Sequence, residues 1–210
     1  MSSEIGRPRD PNVDARVVAA ACRIVDDEGT SAVSVARVAR EAGVSRPAVY
    51  RRYADADDLL RAVLFYHLDA IGFAHKGLVL PDAPFIDLLL LVAEPTFRFY
   101  AENQERSRAL LTAAISAGPQ WQARYNGQTE KVMTLAFQCF QRGISRGELP
   151  DNADIALCVG SYMSLFMAVL IGGVVGAHGD VEAWSLTLRA MLEQHYEGLR
   201  MRAGIAAADV

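Results

Sequence analysis

The chain has 210 residues, of which 51% are apolar and 22% charged, and its formal net charge is −4. This length allows one large or two modest domains with hydrophobic cores, while the acidic balance excludes a protein that binds polyanions over its whole surface. The N-terminal residues contain no apolar run of the kind a secretory signal needs, and the three cysteines form no close pair. We therefore expect free thiols and a cytoplasmic protein.

Residues 1–11 are predicted to form an arm that carries Arg7 and Arg9 on either side of a proline. Such arms can enter the minor groove of DNA, and the alternative is a tail that contacts nothing. A helix follows, with Asn12 as its expected cap, and it runs to about Glu28.

The next segment, Ser34–Tyr53, reads SVARVAREAGVSRPAVYRRY. Its apolar spacing predicts a short helix over Val35–Ala42, which Gly43 can end in the left-handed conformation. Ser45 can then cap a second helix that holds Pro47 in its first turn. Two short helices joined across a glycine turn form a helix-turn-helix, and five arginines against one glutamate favour DNA as its partner. The alternative is a structural helical hairpin with a solvated charged face.

Beyond this segment, the acidic run 54–58 opens a further helix, capped by Asp55, that is expected to reach Lys76. The apolar pattern predicts later helices at 85–101, 105–117, 119–146, 155–177 with Asp151 or Asn152 as its cap, and from about 180 onward. Strand alternation is absent, so the predicted fold is all-α with about nine helices. We place a domain boundary near residue 62, giving domains 1–62 and 63–205.

Residues 155–177 contain no charged side chain and are long enough to span a bilayer. They are flanked by acids rather than by a basic cluster, and a helix that is apolar all round can equally be buried in a core or between subunits. We therefore expect burial and no membrane partner.

Residues 15–64 resemble the DNA-binding head of the TetR (tetracycline repressor-like) family of bacterial transcription regulators. The stretches that carry the resemblance are AAACRIVDDEG, SVARVAREAGVSRPAVYRRY and DLLRAV. The resemblance implies that Tyr50 contacts a phosphate and Ser45 the DNA backbone. It also implies a set of residues facing base edges, the groove wall or the backbone, namely Arg46, Pro47, Ala48, Arg51, Arg52, Ser34, Val35, Arg7 and Arg9. One departure concerns Ala56, which stands where the family usually has a lysine that clamps a phosphate.

The family resemblance also implies an N-terminal three-helix helix-turn-helix domain joined to a C-terminal helical ligand-binding and dimerisation domain. Its candidate pocket residues are aromatic, thioether and imidazole side chains: His67, Phe97, Tyr100, Trp121, Tyr125, Met133, Phe137, Met163, Phe166 and Met167. Because few charges accompany them, the expected effector is apolar or amphipathic. A four-helix bundle between two copies is expected to use Tyr162, Phe166, Leu170, Trp184, Leu188, Met191, Leu192 and His195.

No catalytic constellation, metal-ligand spacing or cofactor motif is present, so we expect neither an enzyme nor a bound cofactor or metal. The expected function is a ligand-responsive repressor that binds a pseudo-palindromic double-stranded DNA operator as a homodimer. Two alternatives stay open. One is a DNA-binding regulator without small-molecule input, either constitutive or gated by a protein, and the other is a membrane-tethered regulator.

Overall fold

The computed structural model describes residues 11–115, 119–176 and 179–202. Over these ranges the chain forms nine α-helices and one short 3-10 turn, without any strand, which confirms the predicted all-α class. The chain divides into two compact units, residues 1–66 and 67–210.

The first unit contains three complete helices and the beginning of a fourth. The elements are α1 (Pro11–Glu28), a 3-10 turn (Thr30–Ala32), α2 (Val35–Glu41), α3 (Arg46–Tyr50) and the first part of α4 (Ala56–Lys76). Helix α1 begins one residue before the expected cap, so Asn12 lies inside its first turn. A proline suits the first helical position because the N–H that it lacks would have no partner there.

The core of the first unit joins the apolar faces of its helices. Val17 of α1, Val38 of α2, Val49 of α3 and Leu59 of α4 are all fully buried. Ala39 of α2 is also buried, and its small side chain lets the helices pack closely there. Removing this much apolar surface from water is the main term that stabilises so small a unit.

Carboxylates organise the beginning of α4. Asp55 caps it as predicted, because its Oδ1 accepts a hydrogen bond from the Asp58 N–H at 2.8 Å. Asp58 in turn accepts from the Ala54 N–H at 3.1 Å and pairs with Arg61 at 3.1 Å. The hydrogen bond from Ala54, assisted by Arg61, lowers the pKa of Asp58 below its ordinary value although partial burial opposes it.

The second unit consists of the remaining part of α4 and five more helices. These are α5 (Phe85–Glu102), α6 (Gln104–Ile115), α7 (Pro119–Ser145), α8 (Ile155–Val174) and α9 (Val181–Arg202). Helix α5 lies against α7, α8 and α9, and Pro95 stands inside it as predicted.

Large side chains of α8 and α9 fill the core of the second unit, and their polar atoms form hydrogen bonds there. The Tyr162 hydroxyl donates to the Leu89 carbonyl at 3.0 Å, and the Tyr196 hydroxyl donates to the Cys158 carbonyl at 2.8 Å. Burial raises the pKa of both tyrosines, so both stay neutral donors. Each bond removes the cost of a polar group without a partner in an apolar interior.

Two helix starts differ from what the sequence alone indicates. Helix α8 is capped by Asp154, whose Oδ1 accepts from the Leu157 N–H at 3.1 Å, and not by Asp151 or Asn152, which lie in the turn before it. The N–H of Phe85, at the beginning of α5, donates to Glu148 at 2.9 Å. That carboxylate comes from the turn after α7, so no local pattern could reveal it.

Helix α8 is the one helix of the described ranges that is long and apolar enough to cross a membrane, with a mean hydropathy of 2.1. Only a third of this stretch is buried inside the protomer, although α8 packs against α7 and α9. The expectation that the helix is buried therefore holds for one face of it.

Candidate nucleic-acid interface and internal cavity

The turn between α2 and α3 has the geometry that the glycine predicts. Gly43 has a φ of 64°, in the left-handed region, and the next N–H, that of Val44, donates to the Ala39 carbonyl at 2.9 Å. A side chain at this φ would be strained, whereas glycine adopts it freely. The turn sets the angle at which α3 leaves α2.

Serine side chains begin both helices of the motif. The Ser34 hydroxyl accepts from the Arg37 N–H and the Ser45 hydroxyl accepts from the Ala48 N–H, each at 3.3 Å. Both caps satisfy an N–H that would otherwise lack an intrahelical partner. Both serines are also exposed, so their hydroxyls remain accessible.

Helix α3 presents one face to solvent and anchors the other in the core. Val49 is fully buried, whereas Tyr50 is 57% exposed. Most of the predicted contacts on this helix are exposed with it, namely Ser45, Arg46, Pro47 and Arg51, and Ala48 is half-buried between them. The structure therefore brings six of the predicted DNA-contacting residues together on one short surface, which we call the α3 face.

The five arginines of the motif divide into two groups. Arg37 pairs with Glu28 of α1, and Arg52 pairs with Asp14 of α1. The other three, Arg40, Arg46 and Arg51, are exposed and meet no carboxylate within the described part of the chain. These three carry the positive charge available to a phosphate backbone.

Two of the predicted DNA contacts need correction. The Arg52 side chain is only 10% exposed, and its Nη1 donates to the Ala48 carbonyl at 3.0 Å in addition to the ion pair with Asp14. Val35 is buried in the core of the first unit. These side chains pack within the motif and hold it together. Arg7 and Arg9 lie outside the described residues.

The second unit contains an internal cavity of about 80 Å³. Four predicted pocket residues line it: Tyr100, Met163, Phe166 and Met167. Its other walls come from α4 to α8 and are formed by Leu68, Ile71, Gly72, His75, Thr96, Leu111, Ala114, Thr129, Val132 and Leu170.

Four other predicted pocket residues lie elsewhere. Phe97 is fully buried, with its ring stacked on that of Phe166 at a centroid distance of 5.2 Å, so it belongs to the core. The ring of His67 lies 5.4 Å from that of Phe99, away from the cavity lining. Met133 and Phe137 are about two-fifths exposed on α7. The side chains of Trp121 and Tyr125 are outside the described part of the structure.

Sequence reasoning missed the two polar groups that line the cavity from α4 and α5. His75 is 3% exposed and Thr96 is 8% exposed, and both belong to the lining. His75 lies seven residues after Leu68, on the side of α4 that faces the cavity, whereas His67 is not part of the lining. The position of His75 in the last turn of α4 is the sequence signal that could have selected it.

A wider groove lies between the end of α4 and α5, with a volume of about 410 Å³. Apolar side chains line it together with Glu94, Arg98 and Glu102, of which the first two form an ion pair. Ile71 borders both this groove and the internal cavity.

The residues predicted at the dimer interface are mostly core residues of the protomer. Six are buried, which is a correction, because a side chain enclosed by its own chain cannot form a surface for a second copy: Tyr162, Phe166, Leu170, Trp184, Leu188 and Leu192. Met191 is half-buried and His195 is exposed.

The opposite side of α8 is exposed and apolar. Its residues recur at intervals of three and four along the helix, so they share one face, which we call the α8 stripe: Leu157, Gly160, Ser164, Ala168, Ile171 and Val175. Leu157 is 68% exposed and Val175 is 60% exposed. Leu186 on the neighbouring α9 is 60% exposed as well.

The three cysteines are free and buried. Burial raises the pKa of Cys139 to about 12 and also raises that of Cys158, so both remain protonated and unreactive near neutral pH. Among the described residues, no group of three or more His, Cys, Asp or Glu side chains could hold a metal ion.

Comparison with known proteins supports the reading of the first unit. The family model for bacterial regulatory proteins of the tetR family matches residues 17–63. The helix-turn-helix-type transcriptional regulator Mb2274c of Mycobacterium bovis is 43% identical over 56 residues, which span 27% of this chain and 30% of that protein. The chain therefore matches less than a third of that relative's length.

Solved structures extend the likeness in fold to most of the chain. The transcriptional regulator FadR from Bacillus subtilis, in complex with stearoyl-CoA, has a TM-score of 0.66 at 16% identity and covers 85% of this chain and 97% of its own. A protein of Saccharomonospora viridis, in complex with choline, has a TM-score of 0.68 at 15% identity, with coverages of 88% and 97%.

The matched family and relative are regulators, which confirms the prediction that the chain is not an enzyme. The helix-turn-helix geometry, the family match over residues 17–63 and the shared fold agree with the resemblance in the sequence. Together the comparisons support a TetR family transcriptional regulator, with the family model matched over residues 17–63.

Proposed function

We propose that this chain is a transcriptional regulator that binds double-stranded DNA by placing the α3 face in the major groove. The observation that carries this proposal is the exposed row of Ser45, Arg46, Tyr50 and Arg51 above the fully buried Val49. An arginine at the start of such a helix can pair with both acceptors of guanine, which contributes about 1–3 kcal/mol of base discrimination. A tyrosine hydroxyl and a serine hydroxyl suit phosphate oxygens.

The regulator is proposed to act as a homodimer on a pseudo-palindromic operator. The α8 stripe supports this part, because an apolar helix face of this length is normally covered in a soluble assembly. Two copies that each contribute α8 and α9 would form a four-helix bundle and bury Leu157, Val175 and Leu186. Isologous packing of this kind matches the two-fold symmetry of a palindromic site.

We also propose that a small molecule bound in the internal cavity weakens DNA binding, so that the protein is a ligand-responsive repressor. Ile71 and His75 of α4 line the cavity, and α4 continues without a break from Ala56, in the first unit, to Lys76. A ligand that displaces the end of this helix can therefore alter the spacing of two DNA-binding heads. The complexes of FadR with stearoyl-CoA and of the Saccharomonospora viridis protein with choline concern proteins of the same fold and support this proposal by analogy.

Two other functions compete with this one. A DNA-binding regulator gated by a protein partner would leave the cavity unused, and its small volume of about 80 Å³ is the observation in its favour. A membrane-tethered regulator would place the α8 stripe in lipid. Fractionation of expressed protein distinguishes the membrane alternative, because a cytoplasmic dimer leaves the membrane fraction empty.

Operator binding by point variants tests the main proposal. Fluorescence anisotropy on DNA from upstream of the protein's own gene should show weaker binding by Arg46→Ala and by Tyr50→Phe than by the unsubstituted protein. Arg23→Ala is the matched control, because Arg23 is exposed on α1 and meets no carboxylate in the described residues. If the two α3 variants bind like the control, the α3 face does not read DNA and the proposal is wrong.

A further inference from the structure

At Ile71 of α4, one side chain separates the internal cavity from the groove between α4 and α5, which we call the outer groove. Ile71 is 8% exposed and borders both spaces. On α5, Pro95 lines the outer groove and its neighbour Thr96 lines the cavity. The outer groove, at about 410 Å³, falls within the usual range of ligand pockets, about 300–1,000 Å³, whereas the cavity, at about 80 Å³, falls below it. A ligand that displaces Ile71 would occupy both spaces.

The outer groove contains a backbone acceptor that lacks its helical donor. Pro95 stands inside α5 and has no N–H, so the carbonyl of Leu91 does not receive the hydrogen bond that normally comes from four residues later. Leu91 and Pro95 both line the outer groove, which places this carbonyl in its wall. Because a backbone carbonyl is a strong acceptor, a ligand group that donates a hydrogen bond suits this position.

The charged side chains of the outer groove already have partners. Glu94 pairs with Arg98, and Glu102 pairs with Arg106 at 3.4 Å. Arg106 also lies over the ring of Phe99, 4.5 Å from its centroid. A ligand with a charged head would therefore compete with an existing ion pair and meet a like charge beside its partner. An uncharged head that donates a hydrogen bond fits this groove better.

The cavity behind Ile71 suits an apolar chain. Most of its lining is apolar or thioether, including Met163 and Met167, whose flexible side chains can move to admit a ligand. His75 also belongs to the lining, but its two ring nitrogens each lie 2.9 Å from a carbonyl oxygen, one of Ile71 and one of Val92. The imidazole therefore has no nitrogen left for a ligand.

We propose that the outer groove and the cavity form one site for an uncharged amphiphile of the long-chain primary alcohol class. Its hydroxyl donates to the Leu91 carbonyl in the outer groove, and its alkyl chain passes Ile71 into the cavity. This inference rests on the proposed ligand-responsive function and names the class of ligand. Ile71 belongs to α4, which runs without a break from Ala56, so a chain that displaces Ile71 acts on the helix that continues into the first unit.

Calorimetry on the full-length protein tests the head group with four probes of equal length: n-octanol, n-heptyl methyl ether, n-octylammonium and n-octanoate. We expect octanol to bind about two- to tenfold more tightly than the ether, the range that one hydrogen bond supplies. Both charged probes should bind more weakly than octanol, because each must disturb an ion pair of the outer groove.

Pro95→Ala tests the role of the Leu91 carbonyl. The substitution supplies the missing N–H and adds a helical hydrogen bond, so the fold should be retained. The ratio of octanol to ether affinity should fall to about one. Pro84→Ala is the matched control, because Pro84 lies directly before α5 and does not belong to the described lining of the outer groove. This control should preserve the ratio.

Nuclear Overhauser contacts locate the alkyl chain. The terminal methyl group of octanol should contact the methyl groups of Met163 and Met167, whereas n-butanol, which is too short to pass Ile71, should show no such contact. Ile71→Ala removes the side chain between the two spaces, so octanol should associate severalfold faster, as measured by NMR line shapes. Ile115→Ala is the control, because Ile115 is 82% exposed and lines neither space.

Four results would each overturn the proposal: equal binding of octanol and the ether, a preference for octanol that survives Pro95→Ala, a charged probe that binds as tightly as octanol, or no contact with the two methionine methyl groups. If octanol binds as expected but leaves operator affinity unchanged, the site stands and the ligand-responsive function is wrong. If octanol does not bind while another compound weakens operator binding, the amphiphile site is wrong and the ligand-responsive function stands.

Discussion

Arg52, two residues after the end of α3, forms an ion pair with Asp14 in the first turn of α1, 38 residues earlier in the chain. The same guanidinium donates to the carbonyl of Ala48 at 3.0 Å, so one side chain joins the back of α3 to α1. The pair therefore positions the α3 face without belonging to it. Not every arginine of this arginine-rich segment is therefore available for DNA contact, because Arg52 stabilises the fold.

The first prediction concerns Asp14→Asn. Removal of a negative charge from a DNA-binding unit should strengthen binding by simple electrostatics, but loss of the pair with Arg52 should release α3. We expect operator affinity to fall about three- to tenfold, as an ion pair of this partly exposed kind contributes on the order of 1 kcal/mol. Fluorescence anisotropy measures the change.

Asp27→Asn is the matched control, because Asp27 is an exposed acid of the same helix. It should leave affinity unchanged or slightly higher. The positioning role of Arg52 is contradicted if Asp14→Asn binds DNA more tightly, as the control does.

The second prediction concerns Ala56, at the beginning of α4, where the family usually has a lysine. Asp55, Asp57 and Asp58 surround this position, so the beginning of α4 repels phosphate. Ala56→Lys should add one phosphate contact and make the slope of log affinity against log salt concentration steeper by about 0.9. Titrations at several salt concentrations measure the slope.

Gln138→Lys adds the same charge at an exposed site of α7, and it should leave the slope unchanged. An identical slope for Ala56→Lys and the unsubstituted protein would show that the beginning of α4 does not approach the phosphate backbone.

The third prediction concerns the α8 stripe. Leu157→Glu combined with Ile171→Glu places two charges on a surface that the proposed dimer buries, and both residues are exposed in the protomer, so the fold should survive. We expect the dissociation constant of the dimer to rise on the order of a hundredfold or more, since charges at the centre of an interface cost at least about 2 kcal/mol. Sedimentation velocity measures the mass.

Val79→Glu is the control for the added charge, because Val79 is 84% exposed in the loop between α4 and α5. This variant should remain dimeric. If the double α8 variant also sediments as a dimer, the dimer interface does not include the α8 stripe.

The fourth prediction concerns the contact between α8 and α9. A Cβ atom built on Gly173 would lie 2.1 Å from Cε2 of Trp184, whose indole N–H is held by the Gly179 carbonyl at 2.8 Å. Gly173→Ala should therefore lower the free energy of unfolding by about 1–3 kcal/mol through overpacking. Urea denaturation followed by circular dichroism measures the loss.

The control is Gly127→Ala in α7, where an added Cβ meets no atom within 4 Å. Replacement of a helical glycine by alanine at an open site should raise the free energy of unfolding by up to about 1 kcal/mol. Equal effects of the two substitutions would mean that Trp184 can move aside.

The sequence by itself determined the features that depend on near neighbours in the chain. The caps Ser34, Ser45 and Asp55, the turn at Gly43 and the proline in the first turn of α3 all act over at most four residues. The buried and exposed sides of α3 follow from the same local spacing. Most of the α3 face could therefore be predicted.

Only the tertiary structure decided which groups meet across the fold. Helix α8 is apolar on every side, so its sequence has no periodicity that separates the core face with Tyr162 from the stripe with Leu157. The choice of His75 over His67 for the cavity, and of Asp14 as the partner of Arg52, depends on helices that approach each other from distant parts of the chain. Such contacts are set by packing, and the spacing of residues along one helix does not contain them.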